Sequence, residues 1–231
     1  MYYFVHQADK RPFNRGGMKN IGFLAMREKY PTEYKNITFV FHDVDTLPYC
    51  KNLLPYETVV GRVKHFYGYQ FALGGIFSIN GADFERINGF PNLWGWSMED
   101  NMIQQRVLAS NLHIDRSTFF PIGSRAILQF VDGISKLINK KEVAGFLNKN
   151  YPHGLNSIRN TPIWKIEGEY INISNFITET SPTTLTFETH NITGPNSGQI
   201  KLTHQERYGS DKMNESAMFR LKSGRLTLVK K

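Results

Sequence analysis

The order of three segments near the start of the chain most constrains its fold. Tyr2 to Val5 is a short apolar run, which predicts a buried strand. Arg15 to Tyr30 carries apolar residues at three- and four-residue spacing, which predicts an amphipathic helix. Ile37 to Phe41 is a continuous β-rich run, typical of a strand covered on both faces in a parallel sheet. Strand, helix and strand in this order predict a βαβ unit and therefore an α/β fold.

Further elements continue this pattern towards the middle of the chain. A strand is predicted over Tyr56 to Val60, and Gly81 to Asn88 is typical of a short helix. A second clear helix is predicted over Ser97 to Asn111, with Ser97 as its N-cap. Its inward-facing positions are predicted to be Ile103, Val107 and Leu108.

The character of the sequence changes from Pro162 onward. There Thr, Ile, Asn and Glu alternate, as in strands and hairpins. We therefore predict an α/β domain over residues 1–180 and a β-rich C-terminal extension over residues 181–231.

The net charge of +8 and the single cysteine limit the class of protein. A basic surface attracts anions, but no block of Lys and Arg is dense enough to predict a nucleic-acid partner. Cys50 alone excludes an intramolecular disulfide. No stretch approaches the roughly 20 apolar residues of a membrane span. The first residues also lack the layout of a signal peptide. These features predict a cytoplasmic protein without a membrane span.

Asp43 and Asp45 are two residues apart at the end of the predicted strand over Ile37 to Phe41. Side chains alternate along a strand, so both carboxylates are expected on the same face. In open α/β sheets ligands bind beyond the carboxyl ends of strands. Paired carboxylates there predict a site for Mg²⁺ or Mn²⁺ that holds a diphosphate. The alternative is a solvated turn, because Asp is common at strand ends.

The segment from Trp94 to Asp100 combines two tryptophans, a glycine and two acids. The tryptophans are typical of a platform for a sugar ring, and an acid behind them could remove a proton from an attacking hydroxyl. The alternative is an ordinary helix start, since acids in the first turn complement the helix dipole. Gly74 and Gly75 likewise indicate either a tight bend or a close backbone approach to a ligand.

These segments together resemble the β-1,4-galactosyltransferases and their N-acetylgalactosaminyl relatives, glycosyltransferase family 7. The matching motifs occur in the order of the family and cover roughly residues 1–160. They are Phe13 to Phe23, Phe39 to Pro48, Gly74 to Ser78, Ile87 to Asn101 and His153 to Ser157. The resemblance implies a GT-A fold and an inverting transferase. It also implies a UDP-galactose or UDP-N-acetylgalactosamine donor, a sugar or glycoconjugate acceptor, and Mn²⁺ as cofactor, with Mg²⁺ as the alternative.

Carried over by position, the resemblance implies a donor site made by Asp43, Asp45, Gly74, Gly75 and Arg15. Asp45, with Asp43, is the implied metal ligand. Gly75 is expected to lie against the donor sugar.

The resemblance places the acceptor site in the segment that follows. Asp100 is the implied base, and Glu99 is expected to support the donor sugar. Trp94, Trp96 and Asn101 are expected to face the acceptor, with Trp96 on a mobile loop that closes over both substrates.

Three departures from the family pattern bear on function. The chain begins at the family's second strand, so we expect part of the donor pocket to be missing or supplied by a partner chain. Ile127 and Phe130 fall where the family has further metal ligands, so we expect weak metal binding. Ala72 falls where many members have a tyrosine, which leaves room for an N-acetylated sugar.

Two functions therefore remain open at this point. One is an active transferase of galactose or N-acetylgalactosamine, and the other is a degenerate relative that binds glycans without turnover. The single cysteine and the lack of an anchor predict a cytoplasmic enzyme of microbial or viral origin rather than a typical Golgi membrane protein.

Overall fold

The structure is a computed structural model that describes residues 1–130, 133, 135–147, 151–191, 199–202, 217–222 and 225–229. The helices in these ranges are α1 (Arg15–Lys29), α2 (Gly81–Arg86), α3 (Glu99–Ala109) and α4 (Lys140–Leu147). The strands of the first half are β1 (Phe4–Gln7), β2 (Thr38–His42), β3 (Thr46–Pro48), β4 (Arg62–Gly68), β5 (Ile76–Asn80), β6 (His113–Asp115), β7 (Phe120–Pro121) and β8 (Ile127–Gln129). Those of the second half are β9 (Ser135–Ile138), β10 (Arg159–Glu167), β11 (Tyr170–Ile177), β12 (Glu188–Asn191), β13 (Gln199–Leu202), β14 (Ala217–Lys222) and β15 (Arg225–Val229).

A mixed sheet in the order β2-β5-β4-β6 forms the centre of the fold, with β7 also pairing with β4. Strand β5 is antiparallel to both β2 and β4, whereas β6 and β7 run parallel to β4. The antiparallel register places His42, at the end of β2, opposite Ile76, at the start of β5. The residues just before β5 therefore lie beside those just after β2.

The predicted βαβ unit is wrong, because β1 and β2 belong to different sheets. Strand β1 pairs in parallel with β11, which also pairs with β10 in an antiparallel hairpin. Only one face of β1 is covered: Val5 packs against Gly22 of α1, while Phe4 remains 41% exposed. The partner of β2 among the described strands is antiparallel, so the prediction of a parallel sheet around this run is also wrong.

Three local predictions differ from the structure. Residues 56–60 form no strand, and β4 begins at Arg62 instead, after the left-handed residue Gly61 (φ +89°). Helix α3 begins at Glu99 with Met98 as its cap residue, so Ser97 is not the N-cap. Leu108 is 55% exposed, whereas Ile103 and Val107 are buried as predicted.

Helix α1 lies between two apolar clusters. One is rich in phenylalanine, and α1 contributes Phe23 to it; the ring centroids of Phe23 and Phe84 are 4.8 Å apart. The other joins Met18 and Ile21 of α1 to Trp94 and the hairpin strand β11. Each fully buried side chain of this size contributes on the order of 1.5–3 kcal/mol. This burial on two sides fixes α1, and with it the side chains of its first turn.

The part of the chain after residue 181 is β-rich where it is described. Strand β12 pairs with β9, and β13, β14 and β15 form an antiparallel sheet. The division into residues 1–180 and 181–231 stays a prediction, and the β9–β12 pairing crosses that boundary. Within the described ranges, no helix combines the length and the apolar character needed to cross a membrane.

Candidate active site

The first turn of α1 is fixed by Asn14. The Asn14 side chain is fully buried; its Oδ1 accepts a hydrogen bond from the backbone N–H of Gly17 (2.7 Å) and its Nδ2 donates to the carbonyl of Asn92 (3.1 Å). An Asn at this position satisfies a free amide of the helix start and so stabilises the helix by about 1 kcal/mol. Arg15 is therefore held at the end of α1 that points towards the central sheet.

Arg15 joins three carboxylates that are far apart in sequence. Its Nη2 lies 2.5 Å from Oδ2 of Asp43, which follows β2. Its Nη1 lies 3.0 Å from Oε1 of Glu99 and 2.6 Å from Oδ1 of Asp100, both in the first turn of α3. The predicted donor-side acid and the predicted base thus converge on one guanidinium group. We call Arg15, Lys19, Asp43, Glu99 and Asp100 the arginine cluster.

Lys19 completes the cluster from the next turn of α1. Its Nζ donates to Oδ1 of Asp43 at 2.9 Å and lies 4.9 Å from the centre of the Phe90 ring. Sequence reasoning missed Lys19, although its signal was present. Residues four apart lie on the same face of a helix, so Lys19 is expected on the same side of α1 as Arg15.

The charges in the cluster set the pKa values of its members. Burial disfavours ionisation of Asp43, but the positive charges of Arg15 and Lys19 outweigh it and hold the pKa of Asp43 well below its usual range. Burial would lower the pKa of Arg15, and the charges of Asp100, Asp43 and Glu99 raise it instead. Burial raises the pKa of Glu99 against the opposing effect of Arg15.

Gly74 and Gly75 lie between the two halves of the cluster. Gly75 has a left-handed backbone (φ +68°), donates its N–H to Oδ2 of Asp43 (3.2 Å) and accepts from the N–H of Asp43 (2.9 Å). A Cβ on Gly74 would overlap the Asp100 carboxylate, and one on Gly75 would overlap the Tyr67 carbonyl. The glycines therefore permit both a tight bend and the approach of Asp100. Contact of Gly74 and Gly75 with a donor stays a prediction.

The two acids at the start of α3 differ in access to solvent. The Asp100 side chain is 25% exposed, whereas that of Glu99 is 5% exposed and its Oε2 has no hydrogen-bond partner among the described residues. A group that takes a proton from an incoming hydroxyl must be reachable. This difference favours Asp100 as the base and leaves Glu99 behind it.

Trp94 does not form a sugar platform. It is fully buried, its ring stacks on Phe176 with centroids 5.2 Å apart, and its Nε1 donates to the Thr178 hydroxyl and the Thr180 carbonyl. The expectation that Trp94 binds the acceptor is wrong in this structure, because a ring covered on all sides has no face to offer. A strongly apolar residue next to a glycine is equally typical of a core anchor.

Trp96 is half-buried at the surface of the same segment. Its N–H donates to the carbonyl of Leu137 (2.6 Å), and its ring is parallel to that of His190 with centroids 6.5 Å apart. Strands β9 and β12 therefore hold Trp96 from one side. Closure of Trp96 over a donor and an acceptor stays a prediction.

Asn101 and a pair of aromatic rings lie beside Asp100. Nδ2 of Asn101 donates to the carbonyl of Phe71 at 3.4 Å. The rings of Phe71 and Tyr69 stack with centroids 5.4 Å apart, and Tyr69 is 38% exposed. Sequence reasoning missed this pair. The available signal was two aromatic residues at alternate positions, the second of them three residues before Gly74.

The surroundings of Asp43 and Asp45 do not fit a tightly held metal ion. Both carboxylate oxygens of Asp43 already accept hydrogen bonds from cationic side chains. The backbone carbonyl of Asp45 accepts from the N–H of Phe130 (2.7 Å), so the apolar Ile127–Phe130 segment runs alongside. Within the ranges that the structure describes, no three His, Cys, Asp or Glu side chains group to hold a metal. Binding of Mn²⁺ or Mg²⁺ at Asp43 and Asp45 stays a prediction.

Sequence comparison finds relatives of this chain among the galactosyltransferases. The family model described as the N-terminal domain of galactosyltransferase matches residues 49–127. The chain is 31% identical over 199 residues to β-1,4-galactosyltransferase 6 of Rattus norvegicus, covering 78% of this chain and 49% of the relative. It is 32% identical over 123 residues to human β-1,4-galactosyltransferase 4, and this match covers 49% of this chain and 35% of the relative. The chain thus spans about half the length, or less, of these curated relatives.

Comparison with solved structures establishes the fold. The catalytic domain of Drosophila β-1,4-galactosyltransferase 7, in complex with xylobiose, matches with a TM-score of 0.53 and 18% identity, over 78% of this chain and 81% of that one. A variant of the same protein, in complex with manganese, UDP-Gal and xylobiose, matches with a TM-score of 0.54 and 18% identity, over 79% and 82%. The predicted GT-A-like α/β fold is confirmed.

The central sheet and the likeness to these two structures give the chain a fold of the GT-A type. The chain belongs to glycosyltransferase family 7, the β-1,4-galactosyltransferases. The expectation of a cytoplasmic enzyme of microbial or viral origin is wrong, because the matched relatives are animal β-1,4-galactosyltransferases, which are Golgi enzymes.

Proposed function

We propose that this chain carries the catalytic core of an inverting transferase that moves galactose from a UDP-sugar to a sugar acceptor. The arginine cluster is the observation that supports this proposal. It brings the acid after β2 and the acids of α3 to a single guanidinium group, as a site holding a sugar between donor and acceptor requires.

Asp100 is the base in this proposal. The acceptor hydroxyl oxygen attacks the anomeric carbon as its proton passes to a carboxylate oxygen of Asp100, and the bond from that carbon to the diphosphate breaks with its electron pair on the departing oxygen. Attack opposite the leaving group inverts the anomeric centre. Arg15 holds the Asp100 side chain in place, because it binds one oxygen of that carboxylate at 2.6 Å.

Asp43, Asp45, Gly74 and Gly75 line the donor side of the proposed site, and Gly74 lies against the carboxylate of the proposed base. The exposed ring of Tyr69, stacked on Phe71, offers an apolar face next to Asp100 for the acceptor. This pair takes the place that sequence reasoning gave to Trp94.

N-acetylgalactosamine is the second donor candidate. Ala72 is only 5% exposed and lies between Phe71 and Gly74, so the side chain at this position is small but covered. A series of UDP-sugars decides between the donors: galactose transfer should exceed N-acetylgalactosamine transfer, and the Ala72→Tyr variant should reduce only the latter.

The test is transfer of a radiolabelled sugar from UDP-galactose to a panel of sugar acceptors, with Mn²⁺, with Mg²⁺ and with chelator. We expect the Asp100→Asn variant to lose on the order of 10²–10⁴-fold in kcat, because it can no longer take the proton. Asp115→Asn is the matched control, since that carboxylate accepts a hydrogen bond from the backbone N–H of Ser117 in a nearby turn and is not a member of the arginine cluster. Full activity of Asp100→Asn would show that Asp100 is not the base.

A glycan-binding relative without turnover is the competing function. It predicts binding of UDP or of an acceptor by calorimetry and no transfer under any metal condition. Binding of nucleic acid at physiological salt, measured by filter retention, would count against both readings.

A further inference from the structure

Three consecutive backbone amides hold the segment that leads into the candidate base. Trp94 N–H donates to Oε2 of Glu142 (2.8 Å), Gly95 N–H to the carbonyl of Phe13 (2.8 Å) and Trp96 N–H to the carbonyl of Leu137 (2.6 Å). Three separate parts of the chain thus fix one short segment. Glu142 is the side chain among these acceptors and the one that can titrate.

The position of this segment determines where the acids of the site lie. Helix α3 starts at Glu99, within a few residues of Trp96, and Met98 supplies no side-chain cap for it. The start of α3 therefore depends on the preceding residues rather than on a capping side chain. A displacement at Trp94 would reach Glu99 and Asp100 directly.

Glu142 is built into the protein interior at the start of α4. It is 6% exposed, and its N–H is capped by Oδ1 of Asn139 (2.9 Å). Oε2 accepts from Trp94, while Oε1 has no hydrogen-bond partner in the part of the chain that the structure describes. The charged or titratable groups that act on it are Glu99 of α3, Glu179 after β11, Lys141 of its own helix and Tyr151.

We propose that Glu142 is a positioning residue of the transferase site, whose carboxyl group holds the Trp94–Trp96 segment and thereby the start of α3. The proposal rests on the proposed function for its effect on catalysis. Its structural part, the hold on the segment, does not.

Burial supports the neutral form of this carboxyl. It raises the pKa of Glu142 to about 8, with smaller contributions from the charges of Glu179 and Glu99, against the lowering effect of the Trp94 hydrogen bond. At neutral pH the group is therefore protonated. Ionisation above this value would place a second negative charge near Glu99, which is itself poorly solvated. The repulsion should loosen the segment and shift Trp96.

Fluorine NMR of the full chain labelled with fluorotryptophan tests the structural part without substrate. The resonances of Trp94, Trp96 and Trp164 are assigned with Trp→Phe variants. We expect the Trp96 signal to shift with a midpoint near the pKa of Glu142, about 8, and to stay constant over the same range in Glu142→Gln. The exposed Glu57→Gln is the matched control and should titrate like the wild type. The same Trp96 titration in Glu142→Gln, or none in the wild type, would overturn the proposal.

Steady-state kinetics tests the catalytic part. At neutral pH, Glu142→Gln should keep kcat within about twofold, because the amide oxygen still accepts from Trp94, whereas Glu142→Ala should lose about tenfold in kcat with little change in donor KM. The wild type should lose activity above about pH 8, and Glu142→Gln should lack this alkaline decline. Equal loss in the two variants would overturn the positioning role. An inactive wild type would refute the proposed function, and the NMR titration would still judge Glu142.

Discussion

The arginine cluster and Glu142 are two acidic groups that differ in charge: Asp43 of the cluster is ionised, whereas Glu142, which accepts a hydrogen bond from Trp94, is neutral. In the arginine cluster, burial of Asp43 is overcome by two cations and the carboxyl is strongly acidic. Among the described residues, no cation lies at hydrogen-bond distance from the Glu142 carboxyl, and burial raises its pKa to about 8. The same chemical group is thus a fixed charge in one place and a neutral hydrogen-bond acceptor in the other. The positions of Arg15 and Lys19 decide which.

Removal of that arginine should have the largest effect. The Arg15→Met variant leaves Asp43, Glu99 and Asp100 together without their shared partner, and an uncompensated buried charge costs about 3–5 kcal/mol. We expect loss of transfer and a lower urea midpoint. Arg15→Lys should recover part of the stability, since a single ammonium replaces the charge but not the two-nitrogen geometry. If Arg15→Met were as stable as the wild type, Arg15 would not be compensating the charges of the three carboxylates.

Much of this contrast could be read from the sequence, and part could not. The acids Asp43 and Asp100 and the helix that carries Arg15 were found from their motifs, because helix periodicity and strand ends are local signals. The pairing of β1 with β11 could not be predicted from the sequence, since it joins residues about 166 positions apart, for example Phe4 with Tyr170. The buried state of Trp94 and the role of Glu142 depend on the same distant hairpin and helix. Local patterns report which side chains are available, and long-range packing decides which are covered.

The pH dependence of stability between about pH 4.5 and 8 should report the raised pKa of Glu142. The pKa of Glu142 is raised in the folded state from its ordinary value of 4.5, so the native protein binds more protons than the unfolded chain between that value and about 8. Stability from this group is therefore greatest below pH 4.5, falls with a slope of up to about 1.4 kcal/mol per pH unit through this window, and is constant above it. The difference between wild type and Glu142→Gln in urea denaturation at several pH values should follow this curve. A difference independent of pH would mean that Glu142 is ionised when folded.

At acid pH, the stability that Asp43 contributes should change with pH in the direction opposite to that of Glu142. Its folded pKa is lowered, so the stability it contributes is present above its unfolded value and is lost as pH falls towards the folded one. Asp43→Asn should cost about 2 kcal/mol at neutral pH, the scale of hydrogen bonds to charged groups, and less as the solution is acidified. Denaturation of both proteins between neutral pH and about pH 3 measures this. Asp115→Asn, which keeps an oxygen acceptor in an exposed turn, should cost far less.

The smallest expected effect is a change in the pKa of Glu142 caused by substitution of the neighbouring Glu179. Glu179 contributes a negative charge that raises the pKa of Glu142, and its own carboxylate accepts from Tyr151, Ser157 and Asn92. Glu179→Gln removes that charge but keeps an oxygen acceptor, so the midpoint of the Trp96 titration should fall by less than about one pH unit. The arginine cluster should be unaffected, because Glu179 is not among the charges that act on Asp43 or Arg15. A midpoint that stays unchanged would leave burial and the charge of Glu99 as the causes of the raised pKa of Glu142, and Glu179 would then play no part in the contrast between the two groups.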